Sequence, residues 1–207
     1  MVPRIFYPLL PYRSMLFPFF VVSAIVVPCW LIFRWYRHRA GRQALSLSRE
    51  ILLLIFVVYL GGLASATLTP NRSTRLRAEG SGGIDLRPNL TSLTCSTANL
   101  PEGSRERGFC VRNAQGNAAL FFPLGILIPL VWKRIRFRRA VLIGFAVSIS
   151  IEVAQYLSSA LGSYRAADIN DVILNVFGAI LGMTLVFLLR LLLGGRPRAA
   201  PLRPSPG

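Results

Sequence analysis

Residue types that commonly carry catalytic or metal-binding chemistry are scarce in this chain. There is one histidine, His38, and there are three cysteines among 207 residues. The chain also has no glycine-rich phosphate-binding loop and no internal repeat. A Cys/His metal site and a nucleotide-binding loop are therefore not expected, and a secondary transporter built from paired repeats is disfavoured.

Acidic residues are few as well: 8 Asp and Glu stand against 24 Lys and Arg, which gives a formal net charge of +16. In a soluble protein such an excess would suggest a nucleic-acid partner. Here 53% of the residues are hydrophobic, and the basic residues cluster between apolar runs. The charge is better explained by orientation in a membrane, and no nucleic-acid partner is predicted.

Five apolar runs are long enough, or nearly so, to cross roughly 30 Å of hydrocarbon as helices. The sequence therefore predicts an all-α, polytopic membrane protein with about five transmembrane helices. The runs cover residues 14–33, 50–69, 115–132, 140–160 and 171–193.

The basic connectors predict the orientation of these helices. Segments 34–49 and 133–139 and the tail after residue 189 are rich in arginine, and they alternate correctly to share one side. The positive-inside rule makes that side cytoplasmic, so the N-terminus is expected outside and the C-terminus inside. Four regions follow from this: two N-terminal helices with a basic cytoplasmic loop (1–69), an extracytoplasmic loop (70–114), a three-helix membrane region (115–193) and a disordered basic, proline-rich tail (194–207).

The cysteines fit this orientation. Cys29 falls within the first apolar run, where it is expected to be an inert apolar residue. Cys95 and Cys110 both fall in the loop assigned to the outside, where oxidation is permitted. We predict a disulfide between them; closing a loop of about fifteen residues is worth roughly 3 kcal/mol in the chain-entropy model.

Polar residues at membrane depth follow two helical stripes. Their spacing of three and four residues places each set on one helical face. Because a short loop joins the last two apolar runs, these helices are expected to be antiparallel neighbours that bury their stripes against each other. One stripe comprises Ser148, Glu152, Gln155 and Ser159, and the other comprises Asp168, Asp171, Asn175, Gly178 and Gly182.

Glu152 is the most informative of these residues, because an acidic side chain near mid-membrane costs about 2.5–3.5 kcal/mol on insertion scales. We expect it to be protonated, paired or facing a wet cavity. Asn113 and Asn117 would close a third side of the site, and Arg165 is the available positive partner, able to clamp a carboxylate or a phosphate.

Structural interpretations of the same residues remain open. Asp168 has the position of a helix N-cap, with Asp171 in the first turn. Gly178 and Gly182 form a small-xxx-small pair that suits close helix packing. Gln155, Asn175 and the serines are also the kind of residue that hydrogen-bonds a neighbouring helix.

The ordered set of these residues resembles the VanZ-like family of bacterial membrane proteins. That family carries an asparagine ahead of a Phe-x-Pro-x-Gly element, then Glu-x-x-Gln, then Arg-x-x-Asp-x-x-Asp-x-x-x-Asn-x-x-Gly-x-x-x-Gly. The match covers about residues 113–190. Its members here are Asn117, Phe121-Phe122-Pro123-Leu124-Gly125, Glu152 with Gln155, and Arg165 through Gly182.

The resemblance implies a multi-pass protein of the bacterial cytoplasmic membrane with a role in the cell envelope. The founding member of the family is associated with resistance to the glycopeptide antibiotic teicoplanin. Our leading hypothesis is a non-enzymatic accessory protein with an outward-facing polar pocket. Its expected partners are membrane lipids and a lipid-linked cell-wall precursor or a glycopeptide. The pocket residues would be Asn117, Glu152, Gln155, Arg165, Asp168, Asp171 and Asn175.

Two other functions use the same residues. A membrane-embedded enzyme acting on a lipid-linked substrate would use Glu152 as acid or base, with Asp168 and Asp171 as catalytic partners or as ligands of a hard divalent cation. A proton- or ion-coupled transporter would use Glu152 as its intramembrane acid. The leading hypothesis requires no cofactor.

Overall fold

The structure is a computed structural model that describes residues 13–40, 46–68, 84–160 and 167–194. Within these ranges, five helices are long and apolar enough to cross a membrane. The prediction of an all-α polytopic membrane protein is thereby confirmed, whereas its orientation stays a prediction. The long helices are α1 (Arg13–Arg39), α2 (Leu47–Leu68), α4 (Arg105–Val131), α5 (Phe137–Ala160) and α6 (Ile169–Gly194).

The start of α4 differs from the sequence prediction, which placed residues 105–114 in a loop. The helix begins at Arg105 because Ser104 caps it: the Ser104 side chain accepts a hydrogen bond from the Arg107 backbone N–H at 3.2 Å. Glu106 in the first turn suits the positive end of the helix dipole. The polar first turns of α4 therefore extend beyond the apolar run that marked the membrane span.

The segment ahead of α4 is small and tied down. It contains strand β1 (Ile84–Asp85) and the short helix α3 (Leu90–Thr94). Strand β1 pairs in parallel with strand β2 (Ala167–Asp168), which directly precedes α6. The predicted disulfide between Cys95 and Cys110 is confirmed, and it joins the end of α3 to α4. The segment is thus attached to α4 through the disulfide and to the start of α6 through the strand pair.

Helices α4 and α6 form the most extensive helix–helix interface, and they run in the same direction. Three glycines allow their backbones to touch. A Cβ added to Gly125 would lie 2.0 Å from the Ala179 carbonyl oxygen, and one added to Gly178 would lie 2.1 Å from that of Ala118. Gly182 is equally close, at 2.1 Å, to the Phe122 carbonyl. Only glycine fits these positions. Helix α5 packs against the same pair, chiefly against α6.

The core lies where α2, α4, α5 and α6 meet. It is apolar, and its buried members are Leu63, Phe121, Leu124, Ile128, Ala140, Ile151, Ala179 and Met183. Helix α1 packs chiefly against α2, and its membrane-spanning window contains no buried residue. An ion pair of 2.6 Å between Arg34 Nε and Glu50 Oε2 joins the end of α1 to the start of α2.

Candidate functional site

Polar side chains converge where the first turns of α4 and α6 meet the last turns of α5. We call these residues the polar cluster. It has a buried part, in which each side chain is at most 6% exposed, and a half-buried to exposed rim. The buried part comprises Ser148, Glu152, Gln155, Asn170 and Asn175; the rim comprises Asn113, Asn117, Asp168 and Asp171.

The innermost contact joins α5 to α6. The Asn175 amide donates a hydrogen bond of 3.1 Å to the Ser148 hydroxyl. Ser148 has no exposed surface and Asn175 is 3% exposed, so both groups depend on protein partners. The polar stripes of α5 and α6 therefore meet at this point, as expected for antiparallel neighbours whose polar faces are buried against each other.

Glu152 lies one turn closer to the rim and is 6% exposed. Its Oε2 atom accepts the backbone N–H of Asp168 at 3.1 Å, so the acid contacts the residue just before α6. A carboxylate that accepts a backbone N–H makes a charge-assisted hydrogen bond, which partly offsets the cost of burial. Glu152 thereby holds the start of α6 against α5.

Gln155 contacts a helix that the sequence did not place at the site. Its amide donates a hydrogen bond of 2.9 Å to the Thr67 carbonyl, in the last turn of α2. The last four carbonyls of a helix have no intrahelical donor, so this one needs an outside partner. The polar cluster is therefore enclosed by four helices instead of three.

The rim is organised around Asp171. Its Oδ1 atom accepts hydrogen bonds from the amides of Asn113 and Asn117, at 2.9 and 2.6 Å. These two asparagines lie four residues apart on α4, which places them on one face, as the third side of the site requires. The predicted proximity of Asn113 and Asn117 to the acids of α6 corresponds to these two contacts.

Asp168 acts as the cap of α6. Its Oδ1 atom accepts the Asn170 backbone N–H at 2.8 Å and the Asn170 side-chain amide at 2.7 Å. The first of these satisfies an N–H that has no partner within the helix. Asp168 therefore caps α6, and it also lies beside Glu152.

Asn170 is the functional candidate that sequence reasoning missed. It is 3% exposed, and its side-chain oxygen accepts the Asn89 backbone N–H at 2.9 Å. This bond ties the start of α6 to the cap of α3, because the Asn89 side chain in turn accepts the Thr91 N–H. Asn170 falls outside the three-and-four spacing of the polar stripe on α6. No local sequence pattern predicts its contact with a residue 81 positions away.

Two predicted members of the site cannot be placed. Arg165 and the side chain of Ser159 lie outside the described residues. Among the residues that the structure does describe, no three His, Cys, Asp or Glu side chains group in a way that could hold a metal ion. The carboxylates seen at the site instead accept hydrogen bonds from amides and backbone N–H groups.

Comparison with known proteins gives a family match over most of the chain. A family model described as VanZ/LLP1 matches residues 20–190, which include every described residue of the polar cluster. No curated protein and no solved structure gives a significant match.

Proposed function

The chain belongs to the VanZ/LLP1 family, whose model covers residues 20–190, and from that premise we propose that it is a non-enzymatic accessory protein of the bacterial cell envelope. It resides in the cytoplasmic membrane with its N-terminus outside and its C-terminus inside. Its polar cluster binds or shields an envelope ligand, either a lipid-linked cell-wall precursor or a glycopeptide antibiotic such as teicoplanin.

One observation carries this proposal: a graded polar cluster that runs from an exposed amide, Asn113, to a buried carboxylate, Glu152. A buried acid costs about 2.5–3.5 kcal/mol near mid-membrane on insertion scales, and such residues are functional candidates by default. A purely structural link between α5 and α6 would be served as well by a neutral amide. The acid is therefore suited to a partner that brings hydrogen-bond donors.

The chemistry of the cluster suits a ligand head group rich in donors. The carboxylates of Asp168 and Asp171 at the rim, and that of Glu152 below them, accept hydrogen bonds from hydroxyl, amide or ammonium groups. Sugars and peptides of cell-wall precursors and of glycopeptides carry such groups. Arg165 remains the expected cationic partner for a phosphate or carboxylate of the ligand.

The enzymatic alternative draws on the same acids but has less support. The residues of the polar cluster include no histidine that could serve as a base and no cysteine that could serve as a nucleophile beside these acids. An enzyme of this kind would show metal-dependent turnover of a lipid-linked substrate, abolished in Asp171→Asn. Absence of turnover with divalent cations would leave ligand binding as the function to pursue.

Binding to the purified full-length protein in lipid nanodiscs tests the proposal. The probes are a lipid-linked peptidoglycan precursor and teicoplanin, and the variants are Glu152→Gln and Asp171→Asn. Charge-assisted hydrogen bonds contribute about 1.5–3 kcal/mol, so each variant should weaken binding of the active probe by about tenfold or more.

Glu102→Gln is the matched control, because Glu102 is an acid outside the cluster with a side chain that is 79% exposed. It should bind as the wild type does. The thermal unfolding midpoint of each variant establishes that it is folded. Unchanged affinity of folded Glu152→Gln and Asp171→Asn for both probes would contradict the proposal.

A further inference from the structure

A groove of about 740 Å³ opens at the end of the bundle opposite the polar cluster. It lies between the first turn of α2, the connection from α4 to α5, and the first turns of α5. Its cationic lining consists of Arg49, Lys133, Arg134 and Arg139, and its apolar lining includes Trp132 and Leu142. Two of the basic connectors that predicted the orientation thus meet at one concave surface.

None of the described residues that line this groove is acidic. All four cationic residues are exposed. The ion pairs among the described residues involve other cations, Arg34 with Glu50 and Arg107 with Glu102. A concave surface with four unpaired cations attracts an anion. A guanidinium group can donate two parallel hydrogen bonds to two oxygens of one phosphate.

The apolar side of the groove has the residues expected where hydrocarbon begins. Trp132 ends α4, is 44% exposed, and packs edge-on against Phe56 of α2 with ring centroids 5.5 Å apart. Tryptophan is enriched at the level of lipid head groups. Leu142 is 65% exposed and lies further along α5, toward the middle of its apolar span. The groove therefore has the composition expected at the boundary between head groups and acyl chains.

A third contact holds the shape of the groove. Arg190 of α6 donates hydrogen bonds to the carbonyl of Lys133, at 3.2 Å, and to that of Pro129. These carbonyls lie at the end of α4, where no further helical N–H is available to them. The turn that carries Lys133 and Arg134 is thereby fixed to the bundle, so the cationic side is arranged before any ligand arrives.

We propose that this groove is a binding site for an anionic phospholipid, with the phosphate among Arg49, Lys133, Arg134 and Arg139 and an acyl chain along Trp132 and Leu142. Basic pockets between transmembrane helices are suited to such head groups. A zwitterionic lipid brings its own ammonium group, which the four cations repel. A free phosphate would leave the apolar half of the groove unused.

Native mass spectrometry of the full-length, delipidated protein tests the site, with phosphatidylglycerol and phosphatidylcholine of identical acyl chains as probes. The wild type should bind phosphatidylglycerol several-fold more tightly. A juxtamembrane cation contributes about a fivefold effect on binding of anionic lipid, so Arg134→Gln/Arg139→Gln should lower the affinity for phosphatidylglycerol by about tenfold or more.

Arg136→Gln/Arg138→Gln is the matched control, since it removes the same charge from the same stretch at exposed residues that do not line the groove. It should retain most of the affinity. Arg49→Gln/Lys133→Gln provides a second groove variant should the first not fold. Equal losses in groove and control variants would overturn the proposal and indicate a diffuse basic surface.

The source of the phosphate is tested by competition. Inorganic phosphate at a hundredfold excess should leave phosphatidylglycerol bound to the wild type. Displacement by inorganic phosphate, or equal affinity for the two lipids, would also overturn the assignment of the groove to an anionic lipid.

Discussion

Single side chains of the polar cluster act mainly by bonding elements that are distant in the chain. Glu152 holds the residue before α6, Gln155 holds the end of α2, and Asp171 gathers two asparagines of α4. Glu152 and Gln155 are each 6% exposed, so little water can replace their bonds and the loss of either bond is costly. The cluster therefore positions the helices and also presents acceptor groups at its rim.

The bond between Asn175 and Ser148 allows a quantitative prediction. In a double-mutant cycle with Ser148→Ala and Asn175→Ala, we expect a coupling free energy of about 0.6–1.7 kcal/mol, the range found for hydrogen bonds between membrane helices. Unfolding in a detergent titration measures it. If the destabilisation in the double mutant equals the sum of the two single-mutant effects within about 0.3 kcal/mol, the two groups are not bonded.

At the scale of elements, the glycines of α4 and α6 decide how closely the helices approach. Gly125, Gly178 and Gly182 each place backbone against backbone, with space for no Cβ. Close approach of this kind increases van der Waals contact, which drives helix association in lipid in the absence of a hydrophobic effect. It also brings Asp171 within reach of Asn113 and Asn117, so packing and site formation are coupled.

Gly178→Ala should therefore destabilise the protein, because its Cβ would meet the Ala118 carbonyl oxygen at 2.1 Å. Overpacking of this kind costs about 1–3 kcal/mol. Gly116→Ala is the matched control on α4: no described atom lies within 4 Å of its added Cβ. There, alanine should be neutral or stabilising by up to about 1 kcal/mol.

Thermal unfolding of the two variants in the same detergent separates these outcomes. A Gly178→Ala protein as stable as the Gly116→Ala protein would contradict the close α4–α6 contact. The binding assay proposed for the polar cluster should also weaken in Gly178→Ala, since separation of the helices moves Asp171 away from its asparagines.

For the whole molecule, the decisive property is orientation across the membrane. The polar cluster and the segment with the disulfide lie at one end of the bundle, and the basic groove lies at the other. A disulfide persists in an oxidising compartment, and a cluster of basic residues favours the cytoplasmic side. Both considerations point the polar cluster outward.

Labelling of single cysteines in intact cells measures the orientation. In a background with serine at the three native cysteines, Thr97→Cys should react with a membrane-impermeant maleimide added outside. Arg134→Cys should react only after permeabilisation, because the proposed orientation places it on the cytoplasmic side. The opposite pattern would invert the topology and remove the outward-facing site.

The sequence predicted the long helices and most of the polar cluster because both leave periodic signals. Apolar runs identified α1, α2, α4, α5 and α6, and the spacing of three and four residues selected Glu152 and Asp171. Thr67 and Asn170 were missed, since a backbone carbonyl at a helix end and an asparagine outside the stripe have no periodic signature. The pairing of β1 with β2 is likewise only two residues long and connects distant segments.

By itself, the sequence determined that this chain forms several apolar helices and that their acidic residues lie on particular helical faces. It could do so because the length of an apolar run and the helical period are local properties. Tertiary structure alone decided which faces meet. From the sequence, the glycine pair of α6 is expected to contact α5, the preceding helix in the chain. In the structure, its closest partner is the parallel helix α4. The physical reason is steric: Gly178 and Gly182 leave room for the backbone of α4, and Gly125 of α4 leaves room for the backbone of α6 at Ala179.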